Sequence, residues 1–144
     1  MREIKFTPHK SIGDRFVAAL IDYLIIWTFF FYFGYTFGEP NNEGGFSLNG
    51  FISLVPMLFW FFITIGLEQL LGATIGNKLI GIKPISQDQD YPDLTFSQSL
   101  KRHLLDPVDM FFFGLIAIVT IKNTPNNQRV GDIWAKTIVV KNNK

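Results

Sequence analysis

The sequence predicts an all-α membrane protein with two transmembrane helices, a short third helix and a small pair of β-strands. Hydrophobic residues make up 48% of the 144 residues and aromatic residues 16%, whereas charged residues reach only 17%. Soluble domains average about 25% charged residues. The apolar residues also lie in blocks, at 16–37, 51–71 and 110–121. This distribution favours lipid contact over a large soluble core, and the length fits a single domain, 1–144, without a separate soluble catalytic module.

The first two blocks have the length of membrane spans. Block 16–37 contains one charge, Asp22, and as a helix it extends roughly 33 Å at about 1.5 Å per residue, which is enough to cross a bilayer. Block 51–71 is uncharged until Glu68. The segment between them is rich in Gly and Asn, as is typical of a turn. We therefore expect transmembrane helices at about 14–37 and 51–71, the first of them a retained anchor rather than a signal peptide.

The remainder of the chain is more polar and contains shorter elements. Residues 79–86 and 134–141 have strand-like patterns, and we expect them to pair because a lone strand leaves its backbone groups unpaired. A helix is predicted at about 95–105. The third apolar block has only 12 residues, so the helix at about 108–121 is either re-entrant or transmembrane.

The positions of the basic residues indicate the topology. Lys and Arg precede the first span and follow the second, whereas the loop at 38–50 has two Glu and no basic residue. Cytoplasmic loops of membrane proteins are enriched in Lys and Arg, so the N-terminus, the 72–105 segment and the strand pair are expected in the cytoplasm. The basic tail after residue 121 belongs on the same side if the third block is re-entrant. A plain three-helix protein is the alternative. We expect a multi-pass protein of the cell membrane.

Asp22 is the most informative residue of the first span. It shares one helical face with Arg15, Ala18 and Ala19, and the two small residues let a neighbouring backbone approach closely. A carboxylate at this depth must face protein or water. It therefore either locks helix packing through an ion pair or hydrogen bond, or binds a proton or cation on a transport path. The expected partner is Arg129 or Arg15, and Arg129 reaches Asp22 with less strain.

The remaining charged residues suggest structural roles. Glu68 is interpreted as a solvated boundary charge, with an ion ligand as the alternative. Asp106 and Asp109 are expected to cap the N-terminus of the third helix. Arg102 and Arg129 are candidates for pairing with one of three carboxylates, those of Asp22, Asp109 and Asp132.

No feature of the sequence indicates an enzyme, a cofactor, a metal site or a nucleic-acid partner. Cysteine is absent and the net charge is only +1. His9 and His103 are isolated, without a second ligand at metal spacing, and no nucleophile system is evident. We therefore expect a non-enzymatic protein without a cofactor or bound metal.

Three segments together resemble the RDD family of integral membrane proteins. Residues 15–23 are similar to its opening, with an Arg at the head of the first membrane helix and an Asp within it. Residues 72–83 resemble the glycine-rich segment that follows the second helix in this family. Residues 128–140 resemble the family's closing segment, which contains an Arg and an Asp and ends in a strand. The resemblance implies that Arg15, Asp22 and Asp132 are the family's signature residues, with Asp109 as a rival to Asp132. Asn77 departs from the pattern, as does a loop at 86–98 without a glycine turn.

The resemblance leaves two functions open, since transport has been proposed for some members and others resemble accessory subunits. We expect an accessory or scaffold subunit of a larger membrane complex, because two or three spans cannot enclose a pathway alone. It would contact the lipid bilayer and other membrane proteins, or form a homo-oligomer. The alternative is a subunit of a secondary transporter, for cation/proton exchange, with Asp22 as its ion site. Seven phenylalanines suit lipid or helix contact: Phe29, Phe30, Phe31, Phe33, Phe59, Phe61 and Phe62.

Overall fold

Two long apolar helices dominate the structure, a computed structural model that describes residues 6–88 and 91–142. The first, α1, is Ile12–Phe37. Its N-terminus is capped by the Ser11 hydroxyl, which accepts a hydrogen bond from the Asp14 amide at 3.1 Å. The second long helix is Gly50–Leu71. Both are long and apolar enough to cross a membrane, as the sequence predicts.

The second long helix changes its winding along its length. It consists of a 3-10 turn, an α-helical part, a π-helical turn and a final α-helical part: Gly50–Ser53, α2 at Leu54–Phe61, Phe62–Gly66 and α3 at Leu67–Leu71. A π turn adds a residue to the helical repeat, so it changes which side chains face inward after it. The next inward-facing polar side chain is Glu68, which is buried.

The loop between the spans forms a small hairpin. Strand β1, Glu39–Pro40, pairs antiparallel with β2, Phe46–Ser47. The Asn41 side-chain oxygen closes the turn by accepting a hydrogen bond from the Gly45 amide at 2.8 Å. The predicted turn is therefore an ordered hairpin.

A short helix follows the second span where the sequence suggested extended chain. Helix α4, Ile75–Ile80, is capped by the Thr74 hydroxyl and ends at Gly81, which has a φ of 77°. The cap and the left-handed glycine favour a helix between them, so the predicted strand at 79–86 begins later, at Ile82.

The predicted strand pair is confirmed. Strand β3, Ile82–Ser86, pairs antiparallel with β4, Thr137–Lys141. The segment before α1 joins its edge, since the His9 amide donates to the Val139 carbonyl at 2.7 Å. Residues 134 and 135 belong to the preceding helix rather than to the strand.

The remaining helices pack beside these elements. Helix α5, Phe96–Leu104, has a capping box between Thr95 and Gln98, and α6 follows at Asp106–Asp109. A bend of 116° separates these two helices from α7, Phe111–Asn123, whose first turn is interrupted by the left-handed backbone of Phe112, Phe113 and Gly114. By length and composition the bent pair fits a broken span or a re-entrant loop, the two arrangements that the sequence left open. The last helix, α8, is Val130–Ala135.

Candidate functional site

Asp132 lies at the centre of a buried group of charged side chains. Its side chain is 0% exposed. One carboxylate oxygen, Oδ2, accepts hydrogen bonds from Arg15 Nη2 at 2.5 Å and from the Arg129 backbone amide at 3.1 Å. The other, Oδ1, accepts one from Arg102 Nη1. Asp132 thus joins α1, α5 and α8 through one carboxylate.

Glu68 brings the second span to the same group. The Ser99 hydroxyl donates to Glu68 Oε2 at 2.5 Å, and His103 Nε2 lies 3.3 Å from the same oxygen. Arg102 Nε lies 3.4 Å from Glu68 Oε1. Glu68 Oε1, Arg102 Nε and His103 Nε2 are buried without an aligned hydrogen bond. Charge attraction is therefore the main interaction of these three atoms.

Asp106 connects the histidine to the third arginine. His103 Nδ1 lies 2.8 Å from Asp106 Oδ2, and Arg129 Nη1 donates to Asp106 Oδ1 at 3.1 Å. Arg129 Nε is also 3.8 Å from Asp109 Oδ2 and 3.7 Å from Asp132 Oδ2. Arg129 is thus placed among three carboxylates.

Asp109 holds the start of α8. Its two oxygens accept hydrogen bonds from the amides of Val130, at 3.0 Å, and Gly131, at 3.2 Å. A Cβ atom at Gly131 would lie 2.7 Å from the Arg102 carbonyl oxygen, so this close approach of α8 to α5 requires glycine.

The charges of this group nearly balance. It contains three arginines and four carboxylates, which gives 3 − 4 = −1, and a proton on His103 makes it neutral. Buried charges are tolerated only when they are paired. We call this group the charged cluster, and its members are Arg15, Glu68, Arg102, His103, Asp106, Asp109, Arg129 and Asp132.

The arginines determine the ionisation of Asp132. Burial alone would raise the pKa of Asp132, but the guanidinium groups of Arg102, Arg129 and Arg15 hold that pKa well below its ordinary value of 3.8. Conversely, burial would lower the pKa of Arg129, and the nearby carboxylates raise it above its ordinary value. A carboxyl group with a depressed pKa contributes its full stabilisation above its unfolded-state pKa and loses it as pH falls from there through the folded-state value, so Asp132 contributes fully at neutral pH.

Asp22 anchors α4 to α1 outside the charged cluster. Its Oδ1 atom accepts a hydrogen bond from the Gly76 amide at 2.7 Å. A Cβ atom at Gly76 would lie 1.9 Å from the Ala18 carbonyl oxygen. The expectation that the small residues of α1 admit a neighbouring backbone is therefore confirmed, and α4 is that neighbour.

The predicted ion pair between Asp22 and Arg129 or Arg15 is wrong. Among the described residues, both arginines pair with other carboxylates, and Asp132 is shared by the two. Arg129 immediately precedes α8, so its guanidinium group lies beside the acidic residues of α6 and α8 rather than reaching α1 at Asp22.

The structure also corrects the roles of three other acidic residues. Glu68 is 1% exposed and paired, so it is not a solvated boundary charge. Asp106 and Asp109 do not cap the helix that follows them, because their carboxylates bind Arg129, His103 and the amides of α8. Of the pairings left open, Arg102 with Asp132 and Arg129 with Asp109 and Asp132 are present.

Sequence reasoning missed His103, which it treated as isolated. The available signal was helical spacing, since Ser99, Arg102, His103 and Asp106 recur every three or four residues on one face. A polar stripe of this kind indicates a buried polar contact.

A cavity of about 90 Å³ adjoins the charged cluster between α1 and α7. Its polar wall includes Asp22, His103, Asp106 and Arg129, and its apolar wall includes Ile26, Met110, Ile118 and Ile121. The cavity has room for several water-sized molecules. Among the described residues, no group of three or more His, Cys, Asp or Glu side chains is arranged to hold a metal ion.

Comparison with known proteins identifies the family. The family model of the RDD family matches residues 10–136, a range that includes Arg15, Asp22 and Asp132. No curated protein and no solved structure matches the chain. The match covers most of the chain, from before α1 to the end of α8, and agrees with the resemblance of the three sequence segments. The chain therefore belongs to the RDD family.

Proposed function

We propose that this membrane protein is an accessory or scaffold subunit, which packs its two spans against other membrane proteins or against further copies of itself. The observation that carries the proposal is the free surface of the spans. Only 11% of the apolar stretch of α1 and 22% of that of the second span are buried within the chain. Most of each helix circumference is therefore available to lipid or to a partner helix.

The charges of the spans support the same proposal. Asp22 is bonded to the Gly76 amide and Glu68 to α5, so both are used within the chain. The outer surface presents large apolar side chains instead, among them Leu24 (57% exposed), Phe31 (58%) and Leu58 (61%). Such a surface fits an apolar membrane helix as well as it fits acyl chains.

Cysteine cross-linking tests the proposal cleanly because the chain has no cysteine. The variants Phe31→Cys and Leu58→Cys place a thiol on the exposed surface of each span, and Glu43→Cys in the exposed hairpin loop is the control. In native membranes at native expression, a membrane-permeable cross-linker should give one discrete larger product from a span position and none from the loop. Co-expression of two differently tagged copies then distinguishes a homo-oligomer from a different partner. Uncross-linked monomer at both span positions would contradict the proposal.

A specific observation supports a second candidate, a secondary-transporter subunit with Asp22 as its ion site. Asp22 and His103 line the same cavity. An arginine paired with Asp22 would keep the carboxylate ionised and hinder proton exchange, and among the described residues the arginines pair elsewhere.

Flux measurements in proteoliposomes test this candidate. Asp22→Asn should abolish proton-coupled cation flux, while Glu43→Gln in the hairpin loop should leave it unchanged. Flux that persists in a correctly folded Asp22→Asn sample would eliminate the candidate.

A further inference from the structure

We propose that the outer face of α5, α6 and α8 contacts lipid acyl chains at the bilayer interface, although all three helices lie outside the two long spans. We call this face the lipid-facing layer, and its exposed residues are Phe96, Leu104, Val108, Ile133 and Trp134. The proposal is independent of whether the spans bind a partner.

The first step in the argument is that α5 has inverted polarity. A helix on the surface of a soluble protein turns its apolar stripe inward and its charged face outward. Helix α5 instead buries Ser99, Arg102 and His103, whereas Phe96 and Leu104 are each 51% exposed. This arrangement is stable where the surroundings are less polar than the protein interior.

The second step is that α6 and α8 share this inversion. Helix α6 buries Asp106 and Asp109 and exposes Val108. Helix α8 buries Asp132 and exposes the next two residues, Ile133 (46%) and Trp134 (49%). Because α8 packs against α5 and α6, the apolar side chains of the three helices lie on the outside of one unit whose centre is the charged cluster.

The third step is continuity with the second span. The Phe96 ring lies 6.1 Å, centroid to centroid, from the ring of Phe61. Phe61 precedes the end of that span, Leu71, by ten residues, which is about 15 Å along a helix at 1.5 Å per residue. The beginning of the lipid-facing layer therefore touches the middle of a span rather than its aqueous end.

The fourth step is that the layer contains a pair of side chains with the chemistry of a membrane interface. The Lys101 ammonium nitrogen lies 5.7 Å from the centre of the Trp134 ring. Tryptophan concentrates at the level of the lipid headgroups, and lysine there directs its ammonium group toward water and phosphate. An aromatic and basic pair beside exposed apolar side chains fits a lipid surface better than an apolar protein partner.

Site-directed spin labelling tests the proposal, because each label can be attached to a single introduced cysteine. The test positions are Leu104→Cys and Ile133→Cys. Leu24→Cys on α1 is the lipid control, and Lys136→Cys, exposed just after α8, is the water control. In proteoliposomes, accessibility is measured to oxygen, which partitions into lipid, and to a neutral water-soluble nickel chelate. Both test labels should show high oxygen and low nickel accessibility, at a depth shallower than that of Leu24.

Two results would overturn the proposal. High nickel accessibility at both test positions, matching Lys136, would mean that the face is in water. Low accessibility to both reagents would mean that protein covers it. Native Trp134 offers a second measurement without a label, because in Trp27→Phe/Trp60→Phe protein its fluorescence should be quenched by lipids brominated near the headgroup and not by aqueous iodide. Quenching by iodide alone, or by neither reagent, would likewise overturn the proposal.

Discussion

The aromatic contact between the two spans and the charged cluster hold the protein together in different ways. The spans meet through stacked rings such as Phe29 and Phe59, whose centroids are 3.7 Å apart, and most of their remaining surface is free. The charged cluster instead joins α1, the second span, α5, α6 and α8 through buried ions with several partners each. Each aromatic contact contributes its own small stabilisation, so losing one leaves the others in place. Removing one ion of the cluster instead leaves the buried charges of its former partners uncompensated. Substitutions in the cluster should therefore be much more costly than substitutions between the spans.

The largest effect is expected at the centre of the cluster. Asp132→Ala leaves the guanidinium groups of Arg15 and Arg102 without their shared carboxylate, and breaking a buried pair from one side typically costs about 3–5 kcal/mol. The variant should lose thermal stability and fail to give a monodisperse sample in detergent. The control, Glu43→Ala in the exposed hairpin loop, should stay within about 0.5 kcal/mol of the original protein. A stable Asp132→Ala protein would show that the cluster is not central to folding.

A smaller loss is expected where α4 meets α1. Gly76→Ala places a methyl group 1.9 Å from the Ala18 carbonyl oxygen, so α4 must shift away from α1. The free energy of unfolding should fall by about 1–3 kcal/mol, which is typical of overpacking. Gly45→Ala is the matched control, because a Cβ atom there would meet nothing closer than the Asn41 side chain at 3.4 Å, an ordinary van der Waals distance. Equal melting temperatures for the two variants would contradict this packing.

Substitutions at Asp22 distinguish the observed hydrogen bond to the Gly76 amide from the ion pair that the sequence suggested. Asp22→Ala removes the acceptor of the Gly76 amide, which should cost about 1–3 kcal/mol, and Asp22→Asn should cost less because its amide oxygen can still accept. Asp22 and Arg129 are not paired, although both line the cavity, so the effects of Asp22→Ala and Arg129→Ala should add within about 1 kcal/mol in the double variant. Strong non-additivity in thermal unfolding would support the ion pair that the sequence suggested.

These corrections show what the sequence can and cannot predict. The spans follow from local composition, and the pairing of β3 with β4 follows from the need to satisfy backbone groups. Helix α4 was not predicted because a short strand-like pattern of residues was given more weight than the signals for the two ends of a helix, Thr74 at the N-terminus and Gly81 at the C-terminus.

The ion pairs could not be predicted because they join distant parts of the chain. Arg15 and Asp132 are 117 residues apart, and Arg102 and Asp132 are 30 apart. Several arginines and carboxylates were available, and their pairing depends on how α5, α6 and α8 fold onto α1. The sequence therefore supplied the participants and, for Arg102 and Arg129, a set of candidate carboxylates that included Asp132, but not which of these pairs form.

The smallest effect is expected between the spans. Phe29→Leu removes the stacking on Phe59 and Phe33 while keeping an apolar side chain, so the loss should be about 0.5–1.5 kcal/mol. Phe51→Leu, at a position that is 91% exposed, is the control and should change the melting temperature less. If Phe29→Leu lowered the free energy of unfolding as much as Asp132→Ala does, the aromatic contact between the spans would be as important for stability as the charged cluster, contrary to the prediction.

A double-mutant cycle between Asp132 and Arg102 tests the central claim most directly. The variants Asp132→Asn, Arg102→Gln and the combination of both are compared by their free energies of unfolding in lipid bicelles. Each single substitution leaves a buried charge uncompensated, whereas the double substitution removes both charges. The double variant should therefore be more stable than the sum of the single effects by about 2–3 kcal/mol. Single effects that add within about 0.5 kcal/mol would contradict a charge-balanced cluster at the centre of the fold.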